Sequence, residues 1–153
     1  MQAKSQDNSQ FDSQSDSRIG SLKKKVLIIE DNKITSEYES EILKETGLYE
    51  TEVITNNFQK IDVEFIEKLA PDCIILDINL KSRSSQVSGI SISKLIKGDD
   101  RTMNIPIIVV SIGEERQVIL KETQCDVLLP KPCSEEEFLD ATMSVCFATT
   151  GNA

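Results

Sequence analysis

Short apolar runs alternate along the chain with segments whose apolar residues recur at helical spacing. The runs are continuously apolar, which is typical of strands buried on both faces of a sheet. They predict five strands, at residues 26–29, 50–54, 73–76, 105–110 and 126–129, and the second of these is expected at an edge.

The segments between the runs predict five helices. The first helix ends near Gly47, a position suited to a left-handed cap. The second helix ends before Pro71, because proline stops a helix. The third is expected at residues 89–97 and the fourth at 114–122, and Ser134 with Glu137 forms a capping box that opens the fifth. The residues expected to face the core are Ile34, Tyr38 and Ile42 in the first helix, Phe58, Ile61, Phe65 and Leu69 in the second, and Leu139, Met143 and Cys146 in the fifth.

Five strands that alternate with five helices predict a doubly wound α/β fold, with a parallel sheet covered on both faces. The length of 153 residues suits one such domain, at residues 23–148. Residues 1–22 are polar, and we expect a disordered tail because they cannot bury enough apolar surface to offset the entropy of ordering. Residues 149–153 are expected to be a short C-terminal tail.

Charge and composition narrow the range of functions. The net charge of −9 disfavours nucleic acid as a partner, since phosphate backbones require a basic surface. An apolar run of about 18 residues is absent from the sequence, so we expect no membrane span. The four cysteines lack CxxC spacing and the chain has no histidine, which excludes a Cys/His zinc site and a Ser-His-Asp hydrolase. Unpaired thiols indicate a cytoplasmic protein.

Reactive side chains follow four of the predicted strands. Glu30 and Asp31 follow the first, Asp77 the third, Ser111 the fourth and Lys131 the fifth. Ligands of open parallel sheets bind beyond the carboxyl ends of the strands, so these residues are expected to converge. Alone, each could be an ordinary cap or surface residue, and Asp31 or the next residue could simply cap the first helix.

Together these side chains predict a definite chemistry. Carboxylates crowded at one rim repel one another and call for a cation, and oxygen ligands without thiolate or imidazole suit Mg²⁺. A carboxylate beside Mg²⁺ can accept a phosphoryl group, and Ser111 and Lys131 would supply donors to its oxygens.

Four sequence blocks resemble those of bacterial response-regulator receiver domains: KVLIIEDN, CIILDINL, IPIIVVS and LLPKP. They occur in the family's order over residues 24–148, and they are most similar to single-domain regulators of chemotaxis and cell-cycle type. The resemblance implies a flavodoxin-like (βα)5 fold with strand order 2-1-3-4-5. It also implies a single-domain response regulator of a phosphorelay, which is not a turnover enzyme.

The resemblance implies a role for each matching residue. Asp77 matches the phosphoacceptor, Glu30 and Asp31 match the acidic pair that holds Mg²⁺, and Asn79 matches the residue whose backbone carbonyl completes the metal shell. Ser111 matches the hydroxyl residue that turns toward the phosphoryl group. Lys131 matches the lysine that pairs with the phosphoaspartate, often before a cis Pro132.

The chain departs from the family pattern at three places. The loop between Asp77 and Gly89 is longer than usual by about four residues and has Lys81 where proline is common. Ile112 stands where a small residue is favoured, and it is expected to crowd access for small phosphodonors. Leu129 replaces an aromatic residue that swings inward on activation in many receivers, so that signal is expected to be missing.

The sequence raises three possible functions. The first is a phosphorylation switch, with a histidine kinase or phosphotransfer protein as donor and a target protein on the face built from the fourth helix, fifth strand and fifth helix. The second is an adaptor that binds partners regardless of phosphorylation. The third, a dehalogenase-type aspartyl phosphatase, is disfavoured because Lys33 stands where its second aspartate would be.

Overall fold

The computed structural model describes residues 22–80, 87–113 and 115–148. The predicted tails therefore lie outside the described residues, apart from residue 22, and so do residues 81–86 of the long loop. The strands are β1 (Lys24–Ile29), β2 (Tyr49–Ile54), β3 (Cys73–Asp77), β4 (Ile107–Ser111) and β5 (Val127–Pro130). The helices are α1 (Lys33–Glu45), α2 (Val63–Leu69), α3 (Gly89–Lys97), α4 (Arg116–Thr123) and α5 (Glu135–Cys146).

The five strands form one parallel sheet in the order β2-β1-β3-β4-β5. This confirms the predicted doubly wound fold and its strand order. Alternate residues of each central strand enter two separate apolar clusters, because successive side chains of a strand point to opposite faces. One cluster contains Leu27, Leu76 and Val109 with residues of α2, α3 and α4, and the other contains Ile28 and Ile75 with residues of α1 and α5.

The helix boundaries show which local signals were correct. Gly47 has a positive φ of 78° after α1, and Ser134 and Glu137 form the predicted capping box of α5. The range expected for α3 is confirmed, and the side chain of Asn32 caps α1 by accepting a hydrogen bond from the Thr35 amide at 2.9 Å. Within the described residues, no helix is both long and apolar enough to cross a bilayer.

The range expected for the second helix was too long. Residues Phe58–Lys60 form a separate 3₁₀ turn, Ile61 is extended, and α2 begins only after Asp62. The Asp62 side chain accepts a hydrogen bond from the Phe65 amide at 2.8 Å, so it acts as the N-cap and fixes the start of the helix. Phe58 and Ile61 are still buried, so the apolar pattern located core residues without locating the helix.

The inner faces expected for the first and last helices were partly wrong. Ile34 and Tyr38 are 79% and 53% exposed, and Met143 is 48% exposed, whereas Ile42 and Cys146 are buried. Leu139 is half-buried against the α1–α5 cluster. The buried residues of α1 are instead Ser36, Glu39, Ser40, Ile42 and Leu43, and those of α5 are Phe138, Ala141, Thr142 and Cys146.

The strand ranges moved by one or two residues. β4 starts after Pro106, which has no amide proton to give to a neighbouring strand. β5 starts after Asp126, whose carboxylate accepts hydrogen bonds from the Ile107 amide at 2.8 Å and the Lys97 ammonium at 3.0 Å. These shifts move the carboxyl end of a strand by at most one residue, so the reactive side chains stay at the carboxyl edge of the sheet.

Candidate functional site

Strand register brings the first and third strands' acidic residues side by side. Ile29 pairs with Leu76, so the next residues, Glu30 and Asp77, are neighbours at the carboxyl end of the sheet. Carboxylate oxygens of Glu30, Asp31 and Asp77 all lie within 4.8 Å of one another. The predicted meeting of acidic side chains from two separate stretches is therefore present in the structure.

Two of these carboxylates are almost completely buried. Glu30 is 2% exposed and Asp77 is 3% exposed, while Asp31 is half-buried. Backbone amides support both buried groups, because the Asn32 amide donates to Glu30 Oε2 at 3.1 Å and the Asn79 amide donates to Asp77 Oδ1 at 3.0 Å. Two amides thus hold the orientation of the carboxylates at the rim.

Lys131 lies between the two buried carboxylates. Its Nζ is 3.1 Å from Glu30 Oε1 and 3.3 Å from Asp77 Oδ2. Although burial lowers its pKa, the carboxylates of Asp77 and Glu30 raise the pKa of Lys131 above its ordinary value. The lysine is therefore a charged counter-ion that both acidic groups share. Its peptide bond to Pro132 is cis, as the resemblance implied.

Burial raises the pKa of Glu30 to about 7, and the nearby Asp77 carboxylate acts in the same direction. The Asn32 amide and the Lys131 ammonium act the opposite way, since both favour the charged carboxylate. Burial, the largest cause, and the nearby Asp77 carboxylate both disfavour the charged form of Glu30, and a cation bound beside these carboxylates would favour that form.

Ser111 ends β4, next to the strand that carries Asp77, and it is 3% exposed. Its Oγ accepts a hydrogen bond from the Gly113 amide at 2.9 Å, and its carbonyl accepts one from the Lys131 amide at 2.8 Å. The backbone of Ser111 is thereby tied to the residue that pairs with Asp77. Its role toward a phosphoryl group, like that of the Asn79 carbonyl toward a metal, stays a prediction.

Two of the three departures lie within the described residues. Ile112 is 67% exposed, so its side chain extends toward solvent directly after Ser111. Leu129 is 8% exposed and belongs to the cluster between the sheet and α1 and α5. A branched aliphatic side chain fills the position where the resemblance implied a mobile aromatic ring.

Sequence reasoning missed two residues beside the site. Gly89 packs against the backbone of Asp77 and Ile78, and a Cβ on Gly89 would clash with the Asp77 carbonyl and Ile78 Cα. The sequence did contain a signal for this contact. Gly89 lies in the first turn of a helix, where no left-handed conformation is needed, so its small size indicates a close approach of another backbone segment. Glu39 is 7% exposed in α1, and its Oε1 has no hydrogen-bond partner among the described residues.

Comparisons with known proteins agree with this arrangement. Residues 26–143 match the response regulator receiver domain family. The polar-differentiation response regulator DivK of Brucella anthropi is 29% identical over 127 residues, which cover 80% of this chain and 96% of the relative.

Solved receiver domains share the fold. The signal receiver domain of a histidine kinase from Syntrophus aciditrophicus is 27% identical with a TM-score of 0.71, and the match covers 83% of this chain and 92% of that domain. The receiver domain of a sensor histidine kinase from Pseudomonas aeruginosa, solved with a magnesium ion in its active-site cleft, is 19% identical with a TM-score of 0.69, covering 82% and 99%. The family match spans most of the folded chain, and we conclude that this protein belongs to the response regulator receiver domain family.

Proposed function

We propose that Asp77 accepts a phosphoryl group in a Mg²⁺-dependent reaction and that the chain is a DivK-like, single-domain response regulator. The main support for this proposal is the position of the buried Asp77 carboxylate. It lies beside the oxygens of Glu30 and Asp31 and 3.3 Å from Lys131 Nζ. A carboxylate in this setting has both the nucleophilic oxygen and the neighbouring positive charge that phosphoryl transfer needs.

The donor set is compatible with Mg²⁺. Glu30, Asp31 and Asp77 provide only oxygen ligands within reach of one point, which suits a hard cation that keeps several waters. Bound there, Mg²⁺ would neutralise phosphoryl oxygens. Proteins of this family bind Mg²⁺ at an acidic site of this kind, and the Asn79 carbonyl is the further ligand that we propose.

The chain's own residues divide the work of the transfer. A carboxylate oxygen of Asp77 attacks phosphorus, the bond between phosphorus and the donor imidazole breaks, and the imidazole keeps the electron pair. The Asn79 amide, 3.0 Å from Asp77 Oδ1, holds the carboxylate in orientation. Lys131 stabilises the added negative charge, and Ser111 is the proposed donor to a phosphoryl oxygen.

The partners follow from this chemistry. The phosphodonor would be a histidine kinase or a phosphotransfer protein, because the chain has no histidine of its own. The exposed apolar side chains of Ile34, at the start of α1, and Ile112, after Ser111, support contact with a protein donor beside the rim. The output face is proposed to be α4, β5 and α5, where Val118 of α4 is 51% exposed.

The test is the intact mass of the purified chain after incubation with Mg²⁺ and either a small phosphoramidate donor or a phosphorylated histidine kinase. We expect a gain of one phosphoryl group, no gain when a chelator removes Mg²⁺ before the donor is added, and no gain in Asp77→Asn. The control Asp140→Asn alters an exposed aspartate of α5 and should be phosphorylated like wild type. Absence of any gain with both donors would refute the proposal.

The adaptor hypothesis remains a second candidate because the buried Leu129 leaves no aromatic side chain to move at that position. An adaptor would bind its target with equal affinity in wild type, phosphorylated wild type and Asp77→Asn. A phosphorylation switch would bind more tightly in the phosphorylated form alone. The phosphatase hypothesis gains no support from the family assignment, since receiver domains generally are not turnover enzymes.

A further inference from the structure

A cavity of about 490 Å³ opens beside the proposed phosphoacceptor, between α1, the ends of β4 and β5, and α5. Its volume is in the range of small-molecule sites. Buried Ile42, Val110 and Phe138 contribute apolar walls, while the exposed side chains of Tyr38 and Ile112 line it nearer the solvent. The cavity is therefore apolar over much of its lining and accessible from outside.

One buried acidic side chain in the lining has an oxygen without a hydrogen-bond partner among the described residues. Glu39 is 7% exposed, and its Oε1 receives no hydrogen bond from any described residue. Leaving a carboxyl oxygen buried without a donor costs stability, and most such groups in proteins are satisfied. A ligand that donates to this oxygen would remove that cost.

The lysine in the same lining does not fill this role. Lys131 Nζ is engaged by Glu30 at 3.1 Å and by Asp77 at 3.3 Å, and neither of these carboxylates is in the cavity lining. The other ionisable groups in the lining, Tyr38, Cys133 and Glu135, supply no positive charge, and neither do Glu30 and Asp77, which also act on Glu39. The net charge of −9 also favours the approach of a cation over that of an anion.

We propose that this cavity binds a small organic amine, with an apolar body against Ile42, Val110 and Phe138 and an ammonium group that donates to Glu39. The site adjoins the proposed metal cluster through Lys131, but Glu39 is not one of the proposed metal ligands, and binding does not require phosphorylation. Its specificity lies in the combination of an apolar wall with a single buried acid.

The ionisation of Glu39 agrees with this ligand class. Burial raises the pKa of Glu39 to about 8, with smaller contributions from Glu30 and Asp77 in the same direction and from Lys131 in the opposite direction. A bound ammonium would favour the carboxylate and bring this pKa down. Binding is therefore best measured at a pH of about 8.5, where most of the carboxyl is already ionised.

The test uses phenethylamine and its neutral counterpart phenethyl alcohol, which share the aromatic body and differ in charge. Each is titrated into the isotope-labelled full chain without Mg²⁺ or phosphodonor, and amide resonances are followed. We expect saturable shifts at Glu39, Ile112 and Ser134 with the amine, and binding of the alcohol weaker by about tenfold or more.

Glu39→Gln keeps the size of the side chain and removes its charge. We expect this variant to lose about tenfold or more in affinity for the amine and to bind the alcohol as wild type does. Glu41→Gln, on the same helix but exposed, is the matched control and should bind both probes normally.

Three results would overturn the proposal: equal affinity for amine and alcohol, unchanged amine affinity in Glu39→Gln, or shifts that lie outside the cavity. Absence of saturable amine binding would overturn it as well. Because no phosphoryl transfer is involved, a negative result leaves the proposed function of Asp77 intact.

Discussion

Glu30 and Glu39 are two glutamates of similar burial with different surroundings. Glu30, 2% exposed, receives hydrogen bonds from the Asn32 amide and the Lys131 ammonium, whereas Glu39, 7% exposed, has an oxygen with no donor. Burial raises the pKa of both, to about 7 and about 8. Burial is the largest cause of the rise in both, and at Glu30 the Asn32 amide and the Lys131 ammonium act against it.

The largest expected effect comes from Glu39→Gln. Between pH of about 4.5 and about 8 the folded chain retains the proton of Glu39 while the unfolded chain loses it, so wild-type stability falls as the pH rises. The variant should therefore be more stable than wild type by about 3 kcal/mol at a pH of about 8, and nearly equal to it at a pH of about 5.

Urea unfolding of wild type and Glu39→Gln at the two pH values measures the difference in their free energies of unfolding. Because Glu30 is present in both proteins, the pH dependence of this difference reports on Glu39. Glu41→Gln, the exposed control, should follow wild type at both values. A stability difference that does not change with pH would mean that Glu39 is ionised at neutral pH and that its surroundings differ less from those of Glu30 than the structure indicates.

Removal of Lys131 should leave Glu30, like Glu39, without a positively charged partner. Lys131→Met leaves two buried carboxylates without their shared counter-ion, and we expect a loss of about 2 kcal/mol in the metal-free protein at neutral pH. The loss should shrink at lower pH, because Glu30 can then take up a proton. Denaturant unfolding beside Lys68→Met, an exposed lysine, provides the measurement. Equal stability of the two variants would contradict the shared ion pair.

Mg²⁺ should bind to the carboxylates of Glu30, Asp31 and Asp77 and not to Glu39. At tenfold excess over its dissociation constant, a cation that binds only the folded chain stabilises by about 1.4 kcal/mol. We expect a rise in melting temperature in wild type and Asp140→Asn, and little in Asp31→Asn, which lacks one acidic ligand. A similar rise in all three proteins would place the ion elsewhere.

Asp77→Asn should have the smallest effect on stability. The change removes repulsion toward Glu30 and also attraction toward Lys131, and the amide oxygen can still accept the hydrogen bond of the Asn79 backbone. We expect a net stabilisation of about 0.5–1 kcal/mol in the metal-free protein, measured as a higher melting temperature. If the variant and wild type melt together, repulsion at the rim is already fully screened.

The sequence predicted the rim more accurately than it predicted the helix faces. Glu30, Asp77 and Lys131 follow continuous apolar strands, and the carboxyl ends of parallel strands must share one edge, so their convergence follows from the fold class. The contacts that order them, such as the bond from the Asn79 amide to Asp77, depend on local geometry that residue types do not specify.

The inner face of α1 shows why the rest was harder to predict. The spacing of Ile34, Tyr38 and Ile42 suggested one apolar face, but the face that packs on the sheet carries Glu39 and Leu43. Small hydroxyl groups also belong there, and Ser40 Oγ is 2.6 Å from Thr51 Oγ1 of β2. Apolar periodicity marks only apolar residues as core, so it does not locate a buried glutamate such as Glu39 or the cavity that Glu39 lines.

The close packing of Gly89 on the backbone of Asp77 has a consequence for how this domain can diversify. The Ile78 amide donates to the Val110 carbonyl at 3.1 Å, and the Gly89 amide donates to the Ile78 carbonyl at 3.4 Å. These hydrogen bonds fix both ends of the intervening loop. Insertions between them can lengthen the loop without displacing Asp77. Over evolution, the chain can therefore vary the surface that surrounds its reactive carboxylate while the carboxylate itself stays in register.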